Sequence, residues 1–223
     1  WRFDKDLRQG AGVAIPLPFE PVLLFEAKDH SFVGNLEQCN GCGGCRKDAP
    51  VMCPTFQATG EEPLSTRGRA NIIRAVLEGR LDGHGDPLLS ESLETALSNC
   101  LSCKACVAEC PSNVNMALLK AELLHARHRK HGVPLYARVL SRVDLLGVLG
   151  SAFPGLANAT LRNDAFRTLL KHVVRIAPER PLPEYAQQRF DTWFRKRTDS
   201  RTASRGTVLL WDDCFVRHNE PRI

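Results

Sequence analysis

Two cysteine runs constrain this chain more than any other feature. Each run has three cysteines at two-residue gaps and a fourth cysteine that is followed by proline. The first run is Cys39, Cys42, Cys45 and Cys53, and the second is Cys100, Cys103, Cys106 and Cys110. Three thiolates on one tight loop can each bind a different iron of a cubane cluster, whereas the fourth iron needs a cysteine from elsewhere. The sequence therefore predicts two [4Fe-4S] clusters.

The fourth cysteine of each run is expected to serve the other cluster, as it does in bacterial ferredoxins that hold two clusters. By that analogy, the first cluster is assigned to Cys39, Cys42, Cys45 and Cys110, and the second to Cys100, Cys103, Cys106 and Cys53. The glycines Gly41, Gly43 and Gly44 allow positive φ in the first loop and a close approach of N–H groups to sulfur. The second loop lacks glycine, so we expect the two clusters to differ in reduction potential.

Other uses of the cysteines fit less well. Structural zinc prefers paired cysteines, and a third cysteine in the same loop would crowd a tetrahedral ion. Nine cysteines without a secretion signal do not indicate a disulfide framework, so a reducing, cytoplasmic location is expected. Cys214 stands alone and is interpreted as a small apolar residue rather than a ligand. We identify no catalytic residue in the chain.

Hydrophobic spacing predicts a mostly α fold around these loops. We expect helices after the caps Ser65 and Asp86, and further helices at about 115–131, 134–149, 163–176 and 184–197. The run Val208–Trp211 is read as a strand without a partner, which suggests a segment of a longer polypeptide. The predicted organisation is a lead-in or flavin-domain remnant at 1–35, a helical ferredoxin-like two-cluster domain at 36–132, a helical extension at 133–197, and a linker with the first strand of a truncated α/β domain at 198–223.

The segment from Cys39 to Ala70, CNGCGGCRKDAPVMCPTFQATGEEPLSTRGRA, and the later CLSCKACVAECP resemble the iron–sulfur segment of FAD-linked oxidases. That family includes D-lactate, glycolate and D-2-hydroxyglutarate dehydrogenase-like proteins and is related to the iron–sulfur subunit of anaerobic glycerol-3-phosphate dehydrogenase. The tail VLLWDDCFVRHNEPRI is similar to the opening of the family's cysteine-rich domain, but the CCG motifs of that domain do not occur here.

The resemblance implies an electron-transfer module of a flavin-dependent oxidoreductase. Electrons from 2-hydroxy-acid oxidation would pass from FAD through two clusters to a quinone or another carrier. FAD itself would be bound outside this segment, by an upstream flavin domain or flavoprotein, and a CCG domain would follow downstream.

Two alternatives stay open. One is a stand-alone iron–sulfur subunit of a dehydrogenase or heterodisulfide reductase-type complex, and the other, more distant, is a zinc-binding nucleic-acid module. The net charge of +5 is the sum of −4 over residues 1–110 and +9 over residues 111–223, so the basic excess lies in the second half of the chain. We expect it to balance the clusters rather than to bind nucleic acid. Peripheral association with the cytoplasmic face of a membrane is compatible with it.

Overall fold

The computed structural model describes residues 14–25, 29–47, 52–82, 85–197, 206 and 208–222. These residues form helices and connecting loops without a strand, so the predicted mostly α class is confirmed. The chain divides into two compact units, one that ends at Gly132 and one that begins at Val133.

The described residues of the first unit form six α-helices. They are α1 (Phe32–Glu37), α2 (Pro54–Thr59), α3 (Thr66–Leu77), α4 (Glu91–Ser98), α5 (Ala105–Glu109) and α6 (Met116–His131). Three short 3-10 turns lie at Gly44–Arg46, Glu62–Leu64 and Pro87–Leu89. The first cysteine run lies between α1 and α2, and the second extends from the end of α4 to the loop before α6. Both runs are therefore held between helices.

Side-chain caps determine where the long helices begin. The Ser65 hydroxyl accepts a hydrogen bond from the Gly68 amide at 2.9 Å and starts α3 where the sequence predicted. Asn115 caps α6 in the same way, and Gly132 ends that helix with a φ of 83°. Asp86 was predicted to cap an α-helix, but it caps only the 3-10 turn at Pro87–Leu89. The helix that follows, α4, has its own cap in Ser90.

The core of this unit is formed mainly by α1, α3, α4 and α6. Phe32 of α1 is fully buried, and the rings of Phe19 and Phe25 meet it edge-on at centroid distances of 5.4 and 6.1 Å. Residues 14–25, which the sequence predicted as a lead-in, thus pack on the first unit.

A buried carboxylate fastens the same segment to α6. Glu122 is 0% exposed, and its two oxygens accept hydrogen bonds from the backbone N–H groups of Val22 and Leu23 at 2.9 and 2.8 Å. Those two bonds satisfy a group that would otherwise be costly to bury.

The second unit contains α7 (Leu135–Leu140), α8 (Val143–Ala152), α9 (Pro154–Arg162), α10 (Asp164–Val174), α11 (Phe190–Lys196) and α12 (Cys214–His218). The predicted helix at 163–176 is confirmed, that at 134–149 is divided into α7 and α8, and that at 184–197 forms only over its last part. Neither α9 nor α12 was predicted from the sequence. Val208–Trp211 are irregular and exposed, and the predicted strand does not form because no described segment pairs with it. Most of the linker that was predicted to precede Val208 lies outside the described residues.

Candidate metal centres

Eight cysteines line two cavities of the first unit. The cysteines of the first cavity are Cys39, Cys42, Cys45 and Cys110, and those of the second are Cys53, Cys100, Cys103 and Cys106. Each cavity thus contains three cysteines of one run and the fourth cysteine of the other run. These are the groups that the ferredoxin analogy put together. None of the nine cysteines is in a disulfide.

The two cavities adjoin. Met52 and Thr66 line both of them, and these residues are 3% and 4% exposed. The wall between the cavities is therefore buried.

Contacts between the runs hold the fourth cysteines in place. Pro111, directly after Cys110, packs against Gly44, where a Cβ atom would lie 3.4 Å from the proline ring. On the other side, the Thr55 hydroxyl, two residues after Cys53, donates to the carbonyl of Asn99 at 2.7 Å. Each fourth cysteine is thereby anchored next to the opposite loop.

A buried polar network also connects the segments that flank the two cysteine runs. The side chain of Asn35 in α1 donates to Asp29 at 2.8 Å and to the carbonyl of Asn113 at 3.3 Å, and it accepts from the Asn115 amide at 2.9 Å. Because Asn35 precedes the first run and Asn113 and Asn115 follow the second, this one side chain connects the flanks of both runs.

The two loops have positive φ at two equivalent positions. In the first loop, Gly41 and Gly43 have φ values of 79° and 73°, and at the equivalent positions of the second loop Ser102 and Lys104 have 53° and 64°. The predicted use of glycine at positive φ is confirmed at Gly41 and Gly43. It is wrong at Gly44, which begins a 3-10 turn and leaves room for Pro111 instead.

A helix N-terminus points to the third cysteine of each run. The Arg67 amide in the first turn of α3 donates to Cys45 Sγ at 3.4 Å. The amides of Met116 and Ala117, which begin α6, donate to Cys106. Amides in the first turn of a helix lack helical partners and carry positive partial charge, so they stabilise thiolates. The sequence predicted where both helices begin, but not that their N-termini face Cys45 and Cys106.

Burial acts on the pKa of these two thiols in the opposite direction to the helix amides. It raises the pKa of Cys45 and of Cys106, and the helix amides oppose the rise. At Cys45 the Ser65 hydroxyl also opposes it. Since iron binds thiolate, the amides stabilise the form that a cluster requires.

The donor set fits an iron–sulfur cluster. Among the described residues, no three His, Cys, Asp or Glu side chains converge closely enough to hold one metal ion. Four cysteines spread around a cavity suit a cubane, because each thiolate binds a separate iron. The sulfurs also receive hydrogen bonds, which is how proteins tune such clusters.

Cys214 is the ninth cysteine and lies in the second unit. It is partly buried and begins α12, and it is not among the residues that line the two cavities. That Cys214 is not a ligand stays a prediction.

Residues 35–114 match the family model described as "4Fe-4S dicluster domain". These residues are a 4Fe-4S dicluster domain. Such a domain holds two [4Fe-4S] clusters, so the predicted cofactors are confirmed. The match ends just before α6 and includes all eight cysteines of the two cavities.

Curated relatives extend the similarity beyond the dicluster domain. A probable glycolate oxidase iron-sulfur subunit of Bacillus subtilis is 30% identical over 66% of this chain and 34% of its own length. D-2-hydroxyglutarate dehydrogenase of Escherichia coli is 26% identical over 83% of this chain and 22% of its own length. One subunit of the anaerobic glycerol-3-phosphate dehydrogenase of Escherichia coli is 29% identical over 38% of this chain and 22% of its own length. The predicted resemblance is confirmed, and the chain spans about a third or less of these relatives.

No solved structure matches the chain. Among the described residues, no helix is both long and apolar enough to cross a membrane.

Proposed function

We propose that the dicluster domain is the electron-transfer module of a flavin-dependent oxidoreductase that oxidises a 2-hydroxy acid. The observation that carries the proposal is the pair of adjoining cavities, each lined by four cysteines. When bound, the clusters accept and donate single electrons. The chain's own residues hold the thiolates, donate hydrogen bonds to them and exclude water from the shared wall.

We further propose a ligand assignment for each cluster. Cys39, Cys42, Cys45 and Cys110 hold the first cluster, and Cys100, Cys103, Cys106 and Cys53 hold the second. The lining of the cavities and the anchoring of Pro111 and Thr55 support this exchange of fourth cysteines.

The proposed partners follow from the names of the relatives and from the resemblance of the sequence. They are a flavin domain or flavoprotein as electron donor, a quinone or soluble carrier as acceptor, and a CCG domain beyond residue 223. We propose that the protein works in the cytoplasm or at the cytoplasmic face of the membrane. Large apolar side chains are exposed on α8, on α9 and between them, such as Leu149, Leu156 and Phe153, and they support a surface of the second unit that meets a partner. We also propose that the cluster domain includes residues 14–25, because they pack on α1.

A stand-alone iron–sulfur subunit is the second candidate, favoured by the two relatives that are named as subunits. The full-length reading frame distinguishes the two candidates, since a flavin domain in the same polypeptide excludes a separate subunit.

The experiment is anaerobic purification followed by iron and sulfide analysis and by reduction with a photoreduced flavin. Two four-iron clusters require eight irons and eight sulfides per chain. We expect visible absorbance that bleaches as the flavin delivers electrons and returns when a quinone is added. A colourless chain with stoichiometric zinc, or clusters that the reduced flavin cannot reduce, would contradict the proposal.

A further inference from the structure

A buried arginine contacts a cysteine of the second cavity. Arg69 of α3 is only 2% exposed. Its Nε donates to the carbonyl of Ala96 at 2.8 Å, and its Nη1 donates to Cys53 Sγ at 3.2 Å. A buried guanidinium is costly unless a negative charge compensates it. A carbonyl oxygen and a neutral thiol do not provide that charge.

The third guanidinium nitrogen of Arg69 indicates where the compensating negative charge comes from. Arg69 lines the second cavity, and its Nη2 atom is buried without a hydrogen-bond partner among the described residues. A thiolate at Cys53 and the sulfurs of a bound, negatively charged cluster would supply both an acceptor and the compensating charge. The unpartnered donor is thus explained if the cavity holds such a group.

The first cavity has no equivalent of this arrangement in the described contacts. Arg67 lines it, but its Nε donates to Glu62 at 2.8 Å, its Nη1 donates to the carbonyl of Gly41 at 3.3 Å, and its side chain is 24% exposed. Its contact with Cys45 is made by the neutral backbone amide. The second cavity also has Lys120 nearby, whose Nζ donates to the carbonyl of Cys100 at 2.6 Å. The second cavity is therefore the more positive of the two.

We propose that Arg69 is a positioning residue of the second cluster and raises its reduction potential. Its Nη1 lies within hydrogen-bond distance of Cys53 Sγ and would donate to the thiolate, and its Nη2 would donate to a sulfur of the bound cluster. Reduction adds one electron to the cluster, and a fixed positive charge beside it stabilises the more negative product. This inference rests on the proposed ligand assignment.

The test is an anaerobic redox titration of the cluster-loaded chain, followed by electron paramagnetic resonance. Cys42→Ser and Cys103→Ser, which each change one exposed ligand, first assign the two signals to the two cavities. In Arg69→Met, we expect the midpoint of the second signal to fall by a tenfold change in the reduction equilibrium, or about 59 mV for one electron. The midpoint of the first signal should not move.

Arg74→Met is the matched control. Arg74 lies in the same helix, is 3% exposed and donates to the carbonyl of Leu36, and it is not among the residues that line the two cavities. It should leave both midpoints unchanged. Unchanged midpoints in Arg69→Met, or equal shifts in both signals, would overturn the inference and leave the cluster-binding function intact. Absence of both signals from the unaltered chain would instead overturn the function.

Two further measurements keep the inference testable in case Arg69→Met loses its second cluster. Arg69→Lys keeps the charge but loses the planar fork, and it should lower the same midpoint by a smaller amount. In the unaltered chain, arginine labelled with ¹⁵N in the guanidino group should give a hyperfine coupling in the second signal that persists in Arg67→Lys. Absence of that coupling would overturn the inference without any change at Arg69.

Discussion

At the residue scale, two pairs of positions show what the cysteine loops demand of the backbone. Gly41 and Ser102 share one left-handed position, and Gly43 and Lys104 share the next. A left-handed conformation costs a residue with a Cβ atom about 1–2 kcal/mol, which glycine avoids. The second loop therefore bears a cost that the first does not.

Replacement of Gly43 by alanine should destabilise the first loop by about 1 kcal/mol, because its φ of 73° is retained by the ligand geometry. The measurement is the temperature at which the charge-transfer absorbance of the loaded chain is lost. Lys104→Gly is the opposite change at the equivalent position, so it should leave that temperature unchanged or raise it. The same decrease in both variants would contradict this explanation of the loops.

Glu122 provides a second residue-scale prediction. Glu122→Gln replaces one acceptor oxygen with an amide that faces the backbone N–H of Val22 or Leu23, which should lower the free energy of unfolding by about 2 kcal/mol. Chemical denaturation monitored by circular dichroism measures it. The exposed Glu91→Gln should change stability by less than about 0.5 kcal/mol. Equal effects would mean that the bonds of Glu122 do not hold residues 22–23.

At the element scale, the important feature is how α1 is connected to the start of α6. Asn35→Ala would leave the Asp29 carboxylate and the Asn115 amide without this partner in a buried site. We expect a loss of about 2–3 kcal/mol, together with faster release of iron to a chelator. Asn99→Ala removes an exposed side-chain hydrogen bond to Thr95 and should affect both measurements little. Similar iron release in both variants would contradict the role of Asn35.

The contact between α8 and α12 should make the second unit sensitive to pH. His218 is 1% exposed, lies against Gly147, and shares a 3.0 Å hydrogen bond with Ser151. Burial lowers its pKa, and the cations of Arg189 and Arg217 lower it further. The carboxylates of Asp191 and Asp144 only oppose this shift.

The sign of the pH effect follows from that lowered pKa. The unfolded chain binds a proton at His218 below a pH of about 6.5, whereas the folded chain stays neutral there to lower pH. Stability should therefore fall as pH decreases through 6.5, by at most about 1.4 kcal/mol per pH unit from this residue. Thermal unfolding between pH 5 and 8 measures it. His218→Gln should flatten the profile, whereas the exposed His172→Gln should not; an unchanged slope in His218→Gln would contradict the assignment.

How far the sequence predicts these elements depends on the range of the interactions. Ser65 and Asn115 cap helices through bonds three residues away, so local chemistry was sufficient to predict the starts of α3 and α6. Asp86 was misread because Ser90, four residues later, offers a competing cap. The bond from Thr55 to Asn99 and that from Arg69 to Cys53 join different elements, so no local pattern indicates them.

At the scale of the whole molecule, the first unit is one interlocked body rather than two tandem cluster loops. Met52 and Thr66 separate the cavities, and each fourth cysteine stands at the opposite loop. The sequence suggested this exchange by analogy, but the contacts that would enforce it arise only in the folded chain. An electron that enters one cluster would thus cross a short, buried wall to reach the other.

The exchange of Cys53 and Cys110 is tested most directly in a chain that keeps only one cluster. Cys103→Ser combined with Cys106→Ser should abolish the second cluster and leave four irons per chain. In that background, we predict that adding Cys53→Ser costs no further iron, whereas adding Cys110→Ser removes the remaining cluster, as measured by iron content and by the signal of the reduced protein. Loss of the remaining cluster on replacing Cys53, with no effect of Cys110, would contradict the exchange.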